Sequence, residues 1–519
     1  MASQIECRNP ATGALIGTVP SMDKDEVVEA ISRARSAQMH WGGLEVKERC
    51  DYMRDVREII VDQLAEIRDL ICAETGKPST EALVNEILVA AETIEYYLHE
   101  APRALGSQKV STGLLKTKRA WKSYSPLGVV GVISPWNYPF TLTMTPVITA
   151  LFAGNTVVLK PSEVTSLVGL KVGEVIAKAG YPDIVKVVTG DGVTGSHLVS
   201  GGLDGIAFTG SVATGRKVAV AAAEQLIPCL LELGGKDPMI VCEDADLDRA
   251  ANAAVWGAFT NAGQTCISVE RVYVHQNIYD SFVDKVVART SKLQLGTDVG
   301  SMTFRPQIEK VEAHVADAIA KGATILTGGK RAEIGSQVEP NMYYEPTVLV
   351  DVDHDMDIMR DETFGPVLPI MKVSSEDEAL RMANDTQYGL SASVFSKSAV
   401  RRRRIASEIN AGSVSINDCL VSYAVPSLPF GGMKESGLGR AHGTEGLYGF
   451  CKVKGVAEDI AGLKSDPQWF PKRSMIESVV SRFMAVRYRQ SIASKLKGLT
   501  GSNGLSASRD SIETDSAGT

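Results

Sequence analysis

Short apolar runs alternate with helical segments through the middle of this chain, and that rhythm leaves few folds open. Residues 128–133 (Gly-Val-Val-Gly-Val-Ile) are apolar throughout, and 155–160, 184–188 and 205–209 repeat the texture. A strand with one solvated face alternates apolar with polar residues, whereas a run apolar at successive positions is covered on both faces. Helical patterns over 167–179 and 215–226 separate these runs. Strands alternating with helices predict a parallel, doubly wound α/β sheet.

Past Gly234 the same texture resumes, with strands at 239–241, 271–275 and 413–416 and helices at 246–261 and 306–321, so a second α/β domain is expected. The opening reads as all-helical: 23–39, 47–74 and 80–99 carry apolar residues at helical spacing, and Gly76-Lys77-Pro78 stops the second helix. Residues 110–124 mix polar and bulky side chains and suit a hairpin. At 519 residues the chain has length for two or three domains.

A net charge of −8 argues against nucleic acid as a partner, because a phosphate backbone needs a concentrated basic face. No apolar run is long enough for a spanning helix, and residues 1–10 lack the basic-then-apolar order of a secretory signal. The eight cysteines are scattered without a Cys-x-x-Cys pair, so neither a disulfide framework nor a metal site is expected and a reducing cytoplasm fits. Near the end, Lys472, Arg473, Arg482, Arg487, Arg489, Lys495 and Lys497 alternate with apolar residues. A basic amphipathic helix over 472–499 suits either an anionic membrane surface or packing on the enzyme body or a neighbouring subunit. The Ser-, Gly- and Asp-rich stretch 500–519 has little to bury and is expected to be disordered.

Five segments offer chemistry. Cys266 follows a glycine-containing loop at the end of a helical pattern, where it is either a nucleophile or an inert buried thiol. Glu232, set among leucines and two glycines, is either a base whose pKa is raised by an apolar surround or a partner of Lys236. Asn137, between Pro135 and Pro139 just after a buried strand, is a stiff amide donor suited to an oxyanion, or simply a turn residue. Lys160 and Glu163 at a strand end can bond ribose hydroxyls. Gly210, Ser211 and Gly215 open a helix whose N-terminal amides suit a pyrophosphate, although Gly-x-x-x-x-Gly is not the usual dinucleotide spacing.

In sequence order, PWNYP (135–139), KPSE (160–163), FTGS (208–211), LELGGK (231–236), GQTC (263–266), ETFGP (362–366) and PFGG-K-SG-GR (429–440) resemble the aldehyde dehydrogenase superfamily, over residues 5–460 or so. The resemblance implies oxidation of an aldehyde to a carboxylic acid with NAD, NADP also being used by some relatives. It implies a Rossmann-type NAD-binding domain (1–104 and 123–233), an α/β catalytic domain (234–440) and oligomerisation segments (105–122 and 441–460) that build a homodimer or homotetramer, followed by the basic extension (461–499). Cys266 becomes the nucleophile, Asn137 and the Cys266 N–H the oxyanion donors, and Glu232 the base that activates water on a thioester. Lys160 and Glu163 would bind the adenosine ribose, and Gly210, Ser211 and Gly215 the pyrophosphate. Glu362 and Phe364 would bind the nicotinamide ribose, with Trp136 and Leu233 lining the cofactor side. Tyr138, Leu142 and Ile267, with Leu420 and Tyr423, would form the substrate pocket.

Two departures matter. Relatives acting on small aldehydes often carry Glu directly after the arginine of the last motif, where this chain has Ala441. Ile267 to Arg271 and the Trp469-Phe470-Pro471 extension are more similar to a branch with apocarotenoid-dialdehyde, fungal and plant members, which implies a long apolar substrate. A CoA-acylating semialdehyde dehydrogenase would usually lack Glu232, and a lens-crystallin-like structural protein would have no need of Cys266, Glu232 and Asn137 together.

Overall fold

The computed structural model describes residues 4–332, 341–466, 468–470 and 474–499. The chain does not open on helices: Gln4–Arg8 (β1) and Leu15–Pro20 (β2) form an antiparallel hairpin first. Helices Lys24–Trp41, Val46–Asp62 and Leu64–Thr75 follow. The single helix expected over 47–74 is therefore two, parted at Gln63. The expected helix at 80–99 begins with an α-helical turn at Ser79–Glu81, passes through a π-helical stretch, Ala82–Leu88, and is α-helical again over Val89–Ala104.

Gln108–Val110 (β3) and Lys118–Pro126 (β4) lie in a three-stranded sheet of order β18-β4-β3, where β18 is Cys451–Asp459. The sheet that positions the site is made of Val129–Ile133 (β5), Thr156–Lys160 (β6), Val185–Val187 (β7), Gly205–Thr209 (β8), Cys229–Glu232 (β9) and Gly437–Leu438 (β17). Its order is β17-β9-β8-β5-β6-β7, with β5 to β9 parallel and β17 antiparallel to β9. All five residues of β6 are buried, as the apolar run required. Strand order reverses between β5 and β8, the switch point where ligands bind in doubly wound sheets.

A seven-stranded sheet follows: Asp237–Val241 (β10), Val269–His275 (β11), Thr324–Thr327 (β12), Thr347–Val350 (β13), Val367–Val373 (β14), Ser391–Phe395 (β15) and Ser413–Ile416 (β16). It runs in the order β12-β13-β14-β11-β10-β15-β16 and is parallel except for β12 against β13. Its two faces carry the largest continuous core, from Met239 through Phe282 to Phe395.

Contacts divide the chain into two compact units, Met1–Gln108 with Lys122–Gly455, and Lys109–Trp121 with Val456–Thr519. In the second unit Lys118 pairs with Asp459 at 2.7 Å and Asp466 at 2.6 Å. The basic extension forms two helices there, Ser474–Tyr488 and Ile492–Leu499, rather than one. Lys472, Arg473 and the segment 500–519 lie outside the described residues, as does the Lys497 side chain.

Candidate active site

The loop after β5 is bolted down by buried charge. The Asn137 carbonyl accepts from Lys77 Nζ at 2.8 Å and from Asn261 Nδ2 at 2.9 Å. Lys77 pairs with Glu86 at 2.6 Å, both side chains being almost fully enclosed. Glu86 Oε2 in turn accepts from the backbone N–H groups of Phe140 and Thr141 at 2.7 and 3.3 Å, at the start of helix Thr141–Phe152. Breaking one partner of such a pair strands a buried charge and costs about 3–5 kcal/mol. Sequence reading took Lys77 only as part of a helix stop. No local signal marks a lysine that will be buried by residues 60 positions away.

Cys266 is carried by a strained turn. Asn261, Ala262 and Gly263 are successively left-handed, with φ of 51°, 54° and 71°. Only glycine fits the third position, because a Cβ there would lie 2.1 Å from the Gly365 carbonyl. The Glu81 carboxylate offsets the strain, accepting from Asn261 N at 3.0 Å and from the Thr260 hydroxyl at 2.8 Å. Asn137 Nδ2 donates to the Gln264 carbonyl at 2.9 Å, which ties the two loops together and fixes the amide with one N–H still to donate. The hydrogen bonds of the turn, Gln264 N to Asn261 O, Thr265 N to Gly263 O and Ser268 N to Thr265 O, pass over the Cys266 N–H.

Burial pushes the Cys266 thiol well up, and the carboxyls of Asp237, Glu362 and Glu232 push it further, against a smaller pull from the Ile267 N–H. Burial likewise lifts Glu232 well above the usual carboxylate range, opposed by the Arg440 guanidinium and the Ala441 backbone. Both Glu232 oxygens are buried without a hydrogen-bond partner. Lys236 is not its partner: Lys236 Nζ binds Glu270 and the Thr363 hydroxyl, the latter at 3.0 Å. Glu270 also accepts from the Thr363 and Phe364 N–H groups at 2.8 and 2.9 Å, and this holds the ETFGP loop. In that loop Glu362 Oε1 accepts from Gly235 N at 3.0 Å, and burial, with the Glu270 charge, lifts its carboxyl to about 7.

Three cavities meet at Cys266. One of 140 Å³ at the switch point is lined by Trp136, Asn137, Leu142, Gly210, Ser211, Glu232, Leu233, Glu362 and Phe364 besides the cysteine. One of 330 Å³ is lined by Tyr138, Leu142, Ile267, Leu420 and Tyr423 among others, and a third of 30 Å³ by Glu232, Thr145 and Tyr423. Lys160 and Glu163 do not line the first cavity. They sit at the end of the neighbouring strand β6, 3.3 Å from each other. Gly215 is set behind Leu233, where a Cβ would come within 2.5 Å of that side chain.

The switch-point cavity suits the nicotinamide end of a dinucleotide. A Cβ on Gly234 would meet the Glu362 carboxylate at 2.6 Å, so glycine keeps that wall open. The Trp136 and Phe364 rings, 5.5 Å apart and nearly perpendicular, give it aromatic walls. The helix Val212–Glu224 points its N-terminus there, capped by Ser211. One sequence expectation changes: the Gly210 N–H donates to the Glu232 carbonyl at 3.0 Å, so Gly210 contributes space rather than a donor. Among the described residues no cluster of His, Cys, Asp or Glu could hold a metal ion.

An aromatic-walled cradle at a sheet's switch point, ending on an enclosed thiol beside an unpaired carboxyl, is the layout of a dehydrogenase that works through cysteine. The profile of the aldehyde dehydrogenase family matches residues 1–456. The chain is 42% identical to a 4,4'-diapolycopene aldehyde oxidase from a Methylomonas species, covering 89% of this chain and 87% of that one. It is 40% identical to a Mycolicibacterium smegmatis protein provisionally named succinate-semialdehyde dehydrogenase (NADP+), covering 86% and 87%. The solved NAD-dependent aldehyde dehydrogenase of Sinorhizobium meliloti superposes with a TM-score of 0.85 at 36% identity, covering 90% of this chain and 93% of that one. The chain belongs to the aldehyde dehydrogenase family, and it is an NAD(P)-dependent aldehyde oxidoreductase.

The wall behind the cysteine contains a second buried titratable group. His442 has neither ring nitrogen hydrogen-bonded and stacks on Tyr423 at 4.5 Å between centroids. Burial pushes its pKa down to about 4. The folded chain therefore holds it neutral where the unfolded chain takes up a proton below about 6.5, so stability is lost as pH falls from about 6.5 to about 4, by up to about 3 kcal/mol. Thermal melts across that range should show native protein losing stability relative to His442→Phe as the solution is acidified; parallel curves would contradict this.

Proposed function

We propose that the enzyme oxidises a long, apolar aldehyde to its carboxylic acid through a thioester on Cys266. The observation that carries the substrate reading is the 330 Å³ cavity that ends on this cysteine. Its walls include Leu88, Val89, Leu142, Trp256, Ile267 and Leu420, and the charged residues lining it are Glu92 and Asp418, with no Lys, Arg or His. A substrate tail bearing a carboxylate would meet like charge and, among the described lining residues, no cation, the nearby Arg249 being already paired with Asp418 at 3.2 Å. The Methylomonas relative carries an apolar aldehyde in its name, which agrees with that chemistry.

In this reading the Cys266 thiol gives up its proton to solvent, the sulfur adds to the aldehyde carbon, and the oxygen takes on negative charge. The free N–H of the Asn137 amide and the Cys266 N–H stabilise that oxyanion without trapping it. Nicotinamide, when bound, supplies the acceptor for the departing hydride. Glu232 then takes a proton from water, whose oxygen attacks the thioester carbon, and the C–S bond breaks to release the acid. Trp136, Ser211, Leu233, Glu362 and Phe364 wall the dinucleotide, Gly210 and Gly215 leave it room, and Lys160 and Glu163 meet the adenosine ribose. The sheet of β5 to β9 is the cofactor-binding part and that of β10 to β16 the catalytic part. The nine-residue strand β18 is exposed along most of its length and stands at a sheet edge, which supports assembly of subunits through 105–122 and 441–460. All eight cysteines are free, which supports a reducing cytoplasm.

Asn137→Ala should lower kcat by about 10²–10³-fold while leaving cofactor affinity in place; turnover at the native level would remove the oxyanion role. Along a series of linear aldehydes kcat/KM should rise roughly threefold to fourfold per added methylene until the cavity fills, from burial of about 0.8 kcal/mol each. Succinate semialdehyde should lie far below that series, and a reversed order would overturn the substrate reading.

Cofactor preference rests on Glu163. Its carboxylate accepts from a ribose 2′-hydroxyl and repels a 2′-phosphate, so NAD should give the higher kcat/KM, by on the order of tenfold, and Glu163→Gln should narrow the ratio. A native preference for NADP would refute this.

No helix among the described residues is long and apolar enough to cross a membrane. A peripheral contact is favoured by the extension: Met475, Val479, Val480, Phe483 and Met484 are exposed beside Arg482 and Arg487. Full-length protein should sediment with anionic vesicles in a salt-sensitive way, and Val479→Asp with Phe483→Asp should abolish it. Equal sedimentation of the two would assign these helices to protein contacts instead.

A further inference from the structure

The 30 Å³ cavity adjoins the large one and shares Leu142, Cys266 and Tyr423 with it. It is lined by Thr145, Glu232, Cys266, Tyr423, Phe430 and Ala441, among apolar neighbours. Three of its oxygens, both of Glu232 and Oγ1 of Thr145, are buried and without a hydrogen-bond partner. Left dry, each unpaired group would cost about 1–3 kcal/mol. A further acceptor is created by Pro146, which lies inside helix Thr141–Phe152 and lines the same cavity. Proline has no N–H, so the Leu142 carbonyl four residues upstream loses its helical donor. A void of this size, with these unpaired oxygens on an otherwise apolar wall, accommodates one or two waters.

Tyr423 stands between the two spaces and lines both. Its ring is wedged edge-on against Phe430 at 4.9 Å, and its hydroxyl lies beside those of Thr145 and Thr141. The small Ala441 side chain leaves the void open on its far wall. An apolar chain filling the large cavity would exclude water from that approach to Cys266. Water for the second half of the reaction needs a separate seat.

We infer that the inner cavity is a preformed seat for the hydrolytic water, and that Thr145 is the positioning residue that aims it at the thioester. The inference rests on Cys266 forming a thioester and Glu232 acting as base. One water lies between the Glu232 carboxylate and the Thr145 hydroxyl. Its oxygen forms the new C–O bond, its proton passes to Glu232, and the C–S bond breaks with the electron pair staying on sulfur, which then takes up a proton. Of the reacting species Thr145 touches only the water, and it turns the water's lone pair toward the acyl carbon.

The test is Thr145→Val, which keeps shape and removes the hydroxyl, in the full chain with NAD and a linear aldehyde. Rapid mixing should show the first turnover of NADH formed within about twofold of the native rate constant, while the steady-state rate falls at least about fivefold. Intact mass after quenching should show the acyl group accumulating on Cys266. Thr145→Ser, which restores a hydroxyl, should recover the steady state, and hydroxylamine, a nucleophile that needs no aimed water, should restore turnover to the valine variant. A steady-state fall of less than about fivefold, or a first turnover slowed in step with it, overturns the role of Thr145. Should the valine variant fail to fold, Thr145→Ala against Thr145→Ser reads the same split. Cys266→Ser forming NADH at the native rate would instead remove the thioester, and that outcome is separate from any result at Thr145.

Discussion

Two lysines withdrawn from water hold the reacting groups in register, and the rest of the site follows from them. Lys77 pairs with Glu86, which gathers the N–H groups at the start of helix Thr141–Phe152, while Lys77 itself grips the Asn137 carbonyl. Lys236 pairs with Glu270, which gathers the N–H groups of Thr363 and Phe364. Each pair thus ends on a loop that borders Cys266, one from each sheet. Buried pairs add little net stability, since desolvation offsets their attraction. What they impose is position: either loop moves only by exposing or stranding a charge. That stiffness lets the strained turn 261–263 persist, because its alternatives would break the bonds that Asn261 donates to Glu81 and to Asn137.

The legible part of the fold was the part whose burial is written locally. Strands β5, β6 and β8 are apolar at nearly every position because helices cover both faces, and no other element type explains such short runs. The hairpin β1–β2 escaped because Gln4-Ile-Glu-Cys-Arg is short and mostly exposed, so it carries no core signal. The break at Gln63 and the π-turn at 82–88 come from tertiary contacts, which an amphipathic pattern does not encode. In the site, Cys266, Glu232 and Asn137 stood out through their glycine and proline neighbours. The left-handed Asn261 and Ala262 did not, since neither residue type advertises that conformation. Nor did Thr145, which reads as one more residue of an apolar helix until its hydroxyl, buried without a hydrogen bond, is found on the wall of the same small cavity as Glu232.

Chemistry at Cys266 makes opposite demands on its surroundings in its two halves. Hydride leaves most readily from a site that excludes water, and an apolar substrate favours the same dryness. The acyl group can then leave only if one water reaches it from a fixed direction. A single open cleft would satisfy neither demand well. Here the thiol lies at the junction of three spaces: an aromatic-walled cradle, an apolar chamber and a small inner void whose wall carries unpaired oxygens. The desolvation that lifts Glu232 above the carboxylate range serves this arrangement, because a buried carboxyl with no partner interacts strongly with the one polar molecule that can reach it. Ala441 is small and lines the inner cavity together with Thr145 of helix Thr141–Phe152, leaving Glu232 the one acid among the described residues on that wall.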